Sequence, residues 1–291
     1  MSGPLAVSPD PRAVARLIEL VRRELNLDLG LYKDRYVWPR VTRRMRASGE
    51  SDLGTYVDRL HVDPRERRRF LDSLTVKVTS FFRNPETFHA LSQRILPAVV
   101  ADKARTGSRA IRMWSAGCAT GEEAYSIAIC LLESLATTRA PVRPMIFATD
   151  VDRAALAVAK AGRYPADAVR SVPPKLREQY FSREGVTCRV EPVLRRLIFF
   201  KVHSILDPPP FSRIDVVVLR NVLIYMQPSL RRRVLQLLHR ALNPGGFLIL
   251  GKVEGLGREA ERLFEPVHLV ERIFRRPRPA EDRPAGDALI P

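Results

Sequence analysis

The sequence predicts an α/β fold: a mostly parallel sheet behind an all-helical N-terminal domain, with a small antiparallel β insertion. Three observations carry it. From about residue 108, short apolar runs alternate with amphipathic helical stretches, the rhythm of a parallel sheet with helical crossovers. The first ninety residues show helical periodicity alone. At the start of the alternating region, the run from Ala110 to Ile129 passes from an apolar strand through Gly117 and Gly121 into a helix that opens on Glu122 and Glu123.

The helical region begins at Asp10, placed to N-cap a helix with Pro11 at its first position. Val14, Leu17, Ile18, Val21 and Leu25 then recur at helical spacing. A second helix lies between about Tyr32 and Ser48 and stops at Gly49; Pro39 either kinks it or marks its true start. Ser51 caps a short third helix carrying Leu53, Tyr56, Val57 and Leu60. Asp63-Pro64-Arg65-Glu66 has the spacing of a capping box ahead of Phe70, Leu71 and Leu74. Asn84-Pro85 opens another helix, with Phe88, Leu91, Ile95 and Val99 on one face.

The alternating region reads as strand Ile111–Ser115, helix Glu122–Leu135, strand Met145–Thr149 and helix Arg153–Ala161. Strand Ile214–Leu219, helix Ser229–Leu242 and strand Phe247–Leu250 follow, the last behind Pro244-Gly245-Gly246. Two β-like runs, Val186–Val190 and Leu197–Val202, interrupt the rhythm, and part of this stretch supplies the antiparallel insertion, at about 170–200. His268–Phe274 reads as a final strand. The expected domains are residues 1–90, 91–275 and a disordered tail over 276–291, rich in Pro, Arg, Asp and Ala.

Composition narrows the function. With 45% hydrophobic and 28% charged residues, the chain reads as a soluble globular protein. No apolar run approaches the roughly 20 residues of a membrane span, and no secretory segment opens the chain, so a cytoplasmic location is expected. Cys118, Cys130 and Cys188 lack metal or disulfide spacing, and no metal site is expected. The formal net charge of +17 points either to an anionic partner or to a diffuse excess of arginine.

The strand–turn–helix run carries the chemistry. Two bare glycines at such a turn let a ligand approach the backbone. Glu122 and Glu123 occupy the helix start, which repels a phosphate and favours a cationic, hydroxyl-rich ligand. S-adenosylmethionine, with its sulfonium, ammonium and ribose, fits. The spacing Gly117-x-x-x-Gly121 fails the dinucleotide pattern, which disfavours NAD. Asp150 ends the next strand, where an acidic residue accepts hydrogen bonds from ribose hydroxyls; alternatively it or Asp152 N-caps the following helix. Ligands of open α/β sheets lie beyond the carboxyl ends of the strands. That rule collects Gly117 to Glu122, Asp150 and Arg220 to Tyr225.

Four segments together are more specific: Thr79-Ser-Phe-Phe-Arg-Asn-Pro-Glu-Thr-Phe88, Ser115-Ala-Gly-Cys-Ala-Thr-Gly-Glu-Glu-Ala-Tyr-Ser126, Ala148-Thr-Asp150 and Leu219-Arg-Asn-Val-Leu-Ile-Tyr225. The chain resembles, over about residues 10 to 275, the chemotaxis-receptor glutamate methyltransferases of the CheR family. The resemblance implies a Rossmann-like S-adenosylmethionine-dependent methyltransferase with S-adenosylhomocysteine as product. It implies that Lys77, Thr79, Arg83, Gly117, Glu122, Asp150, Ser204, Ile205, Leu219 and Arg220 face the cofactor. Arg83 and Tyr225 would arrange the reacting groups. Three residues depart from the family pattern: Lys77 and Ser204 stand where Asn is usual, and Lys252 where His is common.

A glutamate substrate also suits the residues themselves. Its carboxylate is ionised near neutrality, so no general base is required, and the sequence offers no His-Asp or Cys-His pair. Between Tyr32 and Ser48, Lys33, Arg35, Arg40, Arg43, Arg44 and Arg46 face one acid, Asp34, a surplus of five charges. Such a run can be a solvated face. The resemblance implies instead that Arg40, Arg43, Arg44 and Arg46 dock on the acidic coiled coil of the receptor's cytoplasmic domain. The membrane would be met only through the receptor, and no nucleic acid is expected. The alternatives are a nucleic-acid methyltransferase, suggested by the charge and by Asp207-Pro-Pro-Pro-Phe211, and a non-catalytic cofactor-binding signalling protein.

Overall fold

The computed structural model describes residues 10–25, 28–74, 79–138, 141–258 and 260–279. Lys77 and residues 280–291 of the expected tail lie outside them. The chain divides into a helical unit, reaching residue 76 and joined by Tyr225–Leu230, and an α/β unit formed by the remainder. The division falls ahead of the expected boundary at residue 90.

In the helical unit, α1 (Pro11–Leu25), α2 (Asp34–Ala47), α3 (Leu53–Val62) and α4 (Pro64–Leu74) enclose a core of Leu17, Leu20, Val21, Val41, Tyr56, Val57, Leu60 and Phe70. Pro39 sits inside α2 without ending it. Asp52, one residue beyond the expected Ser51, caps α3 by accepting from Thr55 N at 2.9 Å. Asp63 caps α4, accepting from the N–H groups of Arg65 and Glu66 at 2.9 and 3.1 Å. The other half of the box does not close, because the Glu66 side chain turns inward to Arg44.

The α/β unit starts with α5 (Pro85–Ala90), a π turn over Leu91–Ile95 and α6 (Leu96–Thr106). Then come β1 (Ala110–Ala116), α7 (Glu122–Thr138), β2 (Arg143–Asp150), α8 (Arg153–Ala161), β3 (Arg163–Pro165), α9 (Pro174–Tyr180), β4 (Phe181–Glu184), β5 (Thr187–Val190), α10 (Pro192–Arg195) and β6 (Ile198–Val202). It closes with β7 (Ile214–Leu219), α11 (Pro228–Ala241), β8 (Leu242–Leu250), β9 (Glu265–His268) and β10 (Ile273–Arg275). The main sheet runs β6-β2-β1-β7-β8-β10-β9. Its first five strands are parallel and the last two antiparallel.

Every residue of β7 is buried, as a central parallel strand requires. Asp215 alone among its residues is charged, and it is neutralised by Lys103 at 2.6 Å. The main core gathers Ile111, Met113, Ile127, Ile129, Ile146, Val216, Val218 and Ile249.

Three sequence expectations are corrected. The antiparallel sheet is β3-β5-β4, spanning residues 163–190, and is not centred on 170–200. Of the two β-like runs only the first, as β5, belongs to it; the second, β6, is a parallel edge strand of the main sheet, and half-exposed edges alternate in polarity much as antiparallel strands do. The single final strand is two, because Leu269 and Val270 form the exposed turn between β9 and β10. The start of the expected tail is also tied down: Arg276 N donates to Gly246 O, and its guanidinium to the carbonyls of His239 and Leu242.

Candidate active site

The carboxyl ends of β1, β2, β6 and β7 bring together most of the residues picked from the sequence. After β1, the chain makes a tight turn in which Gly117, Ala119 and Gly121 have φ of 73°, 46° and 97°. The N–H groups of Gly117 and Cys118 both donate to Thr149 O at the end of β2, at 2.8 and 3.0 Å. Both glycines are required by packing inside the protein. A Cβ on Gly121 would lie 2.7 Å from Ala159 Cβ and 3.0 Å from the Tyr164 hydroxyl; one on Gly117 would lie 2.9 Å from Val222 Cγ2. Close helix–helix contact between α7 and α8 therefore demands glycine at 121.

Asp150 ends β2 beside this turn. Its Oδ2 accepts from Ala119 N at 2.8 Å and its Oδ1 from Asp152 N at 2.9 Å. An ionised carboxylate offers about four acceptor positions, more than these two donors use. Capping of α8 falls to Asp152, which accepts from the N–H groups of Ala154 and Ala155. Burial pushes the Asp150 carboxyl above its ordinary value, against the pull of those backbone donors.

Glu122 and Glu123 begin α7 with different partners. Glu122 accepts from the Thr120 hydroxyl at 2.7 Å. Glu123 accepts from Ser115 Oγ at 2.8 Å and pairs with Arg220 at 3.4 Å. Burial raises both carboxyls, in the Glu123 case against Arg220 and Ser115. Asp150, Glu122 and Glu123 give this rim three carboxylates, of which Glu123 is paired with Arg220. Its acceptor carboxylates fit the cationic sulfonium, the ammonium and the ribose hydroxyls of S-adenosylmethionine.

The Arg83 loop is unusually constrained. Phe82 and Asn84, on either side of Arg83, have φ of 51° and 61°, a region that bulky side chains enter only when neighbours hold them there. Those neighbours are identifiable. Ser126 Oγ accepts from Phe82 N at 3.0 Å, Ser171 Oγ donates to Phe81 O at 2.9 Å, and Arg220 donates to Arg83 O and Asn84 Oδ1 at 2.6 and 2.7 Å. The Arg220 guanidinium is buried among Glu123, the Arg83 loop and the Phe88 ring, 5.4 Å away, and holds the loop.

Thr79 is half-buried at the head of this loop, and Leu219 is buried at the end of β7. Ser204 and Ile205 follow β6; His203 N donates to Asp150 O at 3.0 Å, and Ser204 Oγ, itself buried, accepts from Leu206 N at 3.3 Å. The Asp207–Phe211 run is a packed loop: Phe211 stacks on Phe147 with centroids 4.0 Å apart.

Glu254 was missed by sequence reading. Its buried carboxylate accepts from Gly251 N, Asn221 N and Ile224 N at 2.7, 2.8 and 3.3 Å, joining the end of β8 to the loop that leads to Tyr225. The available signal was the acid of Gly251-Lys-Val-Glu254 at a strand end. Lys252 of that turn pairs with Glu86 and Glu271 at 3.1 and 3.4 Å.

Tyr225 belongs to the helical unit. Its carbonyl accepts from Lys33 N at 2.9 Å, its ring meets Tyr36 edge-on at 5.0 Å, and the Arg40 guanidinium lies 5.6 Å from its centroid. The basic face of α2 is not uniform. Arg43 and Arg46 are exposed, and Arg40 also donates to Tyr36 O. Arg44 is diverted inward: its Nε donates to Glu66 Oε1 at 2.8 Å, and Tyr56 donates to the same oxygen at 3.0 Å. Glu66 is 2% exposed, so Arg44 neutralises a core carboxylate.

A parallel sheet with an acid-ended second strand, a glycine turn and an acidic helix start defines an S-adenosylmethionine-dependent methyltransferase. Residues 12–75 match the family model of the CheR methyltransferase all-alpha domain, and residues 77–273 that of the CheR methyltransferase SAM binding domain. The chain belongs to the CheR methyltransferase family. It is 34% identical over 234 residues to chemotaxis protein methyltransferase 1 of Pseudomonas aeruginosa, covering 78% of this chain and 84% of that one. It is 33% identical over 261 residues to the chemotaxis protein methyltransferase of Escherichia coli, covering 86% of each. It is also 34% identical to an uncharacterized 104.1 kDa protein of Rhodobacter capsulatus, over 96% of this chain but 29% of that protein's length. No helix among the described residues is long and apolar enough to cross a membrane.

Proposed function

We propose that this chain methylates glutamate side chains in the cytoplasmic, acidic coiled-coil domain of chemotaxis receptors, forming γ-glutamyl methyl esters. The observation that carries the proposal is the acidic rim around Asp150, which suits a sulfonium donor and rejects phosphate. When bound, S-adenosylmethionine supplies an electrophilic methyl group: a carboxylate oxygen bonds to the methyl carbon, the carbon–sulfur bond breaks, and ester and S-adenosylhomocysteine result without a proton transfer.

The chain's own residues position rather than activate. Asp150 takes the ribose hydroxyls on its remaining lone pairs. The strained Arg83 loop presents its guanidinium at a fixed place, orienting the cofactor. The Tyr225 hydroxyl orients the incoming carboxylate, and Arg40 beside its ring sets the ring's position. In-line positioning of this kind supplies much of the barrier reduction in a bimolecular transfer. Arg43 and Arg46 grip the acidic receptor helices, with the protein working in the cytoplasm.

Incubation with methyl-labelled S-adenosylmethionine and receptor-containing membranes tests this reading. Alkali-labile label, released as methanol, is the expected result. Alkali-stable label in added DNA, or no transfer to receptor, overturns it.

A further inference from the structure

A second cleft lies at the other end of the main sheet, where β1, β7 and β8 begin. It has a volume of about 490 Å³ and is lined by Arg105, Arg112, Arg213, Arg278, Lys103 and Asn243, with Asp102 on its wall. The strand β1 separates it from the Gly117 turn by six residue steps, roughly 20 Å.

The charge balance of this cleft is one-sided. Lys103 is spent on Asp215, which Asn243 Nδ2 and Arg112 N also saturate at 2.6 and 2.9 Å. Asp102 is shared by Arg105 and Arg278, both at 2.9 Å. Five cations thus meet two carboxylates. Arg112 and Arg213 form no ion pair among the described residues.

The guanidinium groups are also held in place. Arg278 lies against the bare α-carbon of Gly245, whose φ is 80°, and any Cβ there would collide with it. Arg112 rests over the Phe147 ring at 4.9 Å. The Nε atoms of both are buried with no hydrogen-bond partner. The two side chains are thus fixed through their Nε ends, and a guanidinium bonds phosphate bidentately.

We propose that this cleft binds a small anion carrying at least two phosphate groups, remote from the methyl-transfer site. Two linked phosphates match the surplus of three positive charges, and a volume of this size accommodates a diphosphate or a nucleoside diphosphate. Arg112 and Arg278 supply the preset donors, and the exposed Arg213 closes over the ligand.

Calorimetry with pyrophosphate on the full chain, at about 0.1 M salt where longer-range attraction is screened, tests the site. Saturable binding of one pyrophosphate per chain is expected, tighter than inorganic phosphate. Arg112→Met with Arg213→Gly should weaken it at least tenfold while leaving S-adenosylhomocysteine affinity unchanged. Arg213→Gly alone, at an exposed residue with φ of 57°, spares the fold and should weaken binding severalfold. A control removing two exposed arginines elsewhere, Arg68→Ser with Arg69→Ser, should change nothing. Comparing ADP with pyrophosphate separates a nucleotide from a free diphosphate. No saturable binding, or equal weakening in the control, overturns the proposal.

Discussion

Replacing Arg220 by Met should destabilise the α/β unit by about 3–5 kcal/mol, the usual cost of orphaning one member of a buried ion pair. The pair is 3.4 Å long, with side chains 2% and 13% exposed. At an effective dielectric near 20, that separation corresponds to about 5 kcal/mol of attraction. Removing the Arg220 charge recovers its own desolvation but leaves the Glu123 carboxylate with the Ser115 hydroxyl as a hydrogen-bond donor and without its cation. The bonds to Arg83 O and Asn84 Oδ1 are lost as well.

Adding Glu123→Gln should restore roughly 2 kcal/mol or more, because the stranded charge is then gone. The penalty should also depend on pH. Burial already raises the Glu123 carboxyl, and without Arg220 it rises further. A carboxyl with a folded pKa above its unfolded value stabilises the fold while protonated and loses that contribution as pH rises through the folded pKa. Arg220→Met should therefore cost less at pH 6 than at pH 8. Urea unfolding at both pH values measures this. An unchanged unfolding midpoint with complete loss of S-adenosylhomocysteine binding would refute the reasoning and make Arg220 a direct cofactor contact.

Gly121→Ala places a Cβ 2.7 Å from Ala159 Cβ at a φ of 97°, and should lower stability by about 2 kcal/mol or more in thermal unfolding. Arg44→Ala strands Glu66 and should cost about 3–5 kcal/mol, whereas Arg43→Glu with Arg46→Glu should leave the melting temperature unchanged and slow receptor methylation. Tyr225→Phe should reduce kcat by roughly tenfold to a hundredfold through lost positioning, with S-adenosylhomocysteine affinity unchanged by calorimetry.

The parts of the fold written in local pattern were legible in the sequence. Helix α8 and strand β7 match their expected limits, since Asp152 caps the one and an unbroken apolar run marks the other. The turn after β1 and Asp150 were found for the same reason. Long-range pairing was not legible. Glu66 lies 22 residues from Arg44 and Glu123 lies 97 from Arg220, so only the folded chain shows that two arginines assigned to ligands neutralise core acids. The role of Glu254 was hidden likewise, because its partners Asn221 and Ile224 come from another strand end. The two strands β9 and β10 merged in the sequence because the turn between them carries Leu269 and Val270, apolar yet exposed.

The account rests on Asp150 receiving the ribose at the carboxyl end of β2. Titration of S-adenosylhomocysteine into the wild-type protein and into Asp150→Ala measures this directly. One ligand per wild-type chain and at least tenfold weaker binding in the variant, the loss of one charge-assisted hydrogen bond, is the predicted result. Equal affinity in both proteins, with both folded, would contradict the account.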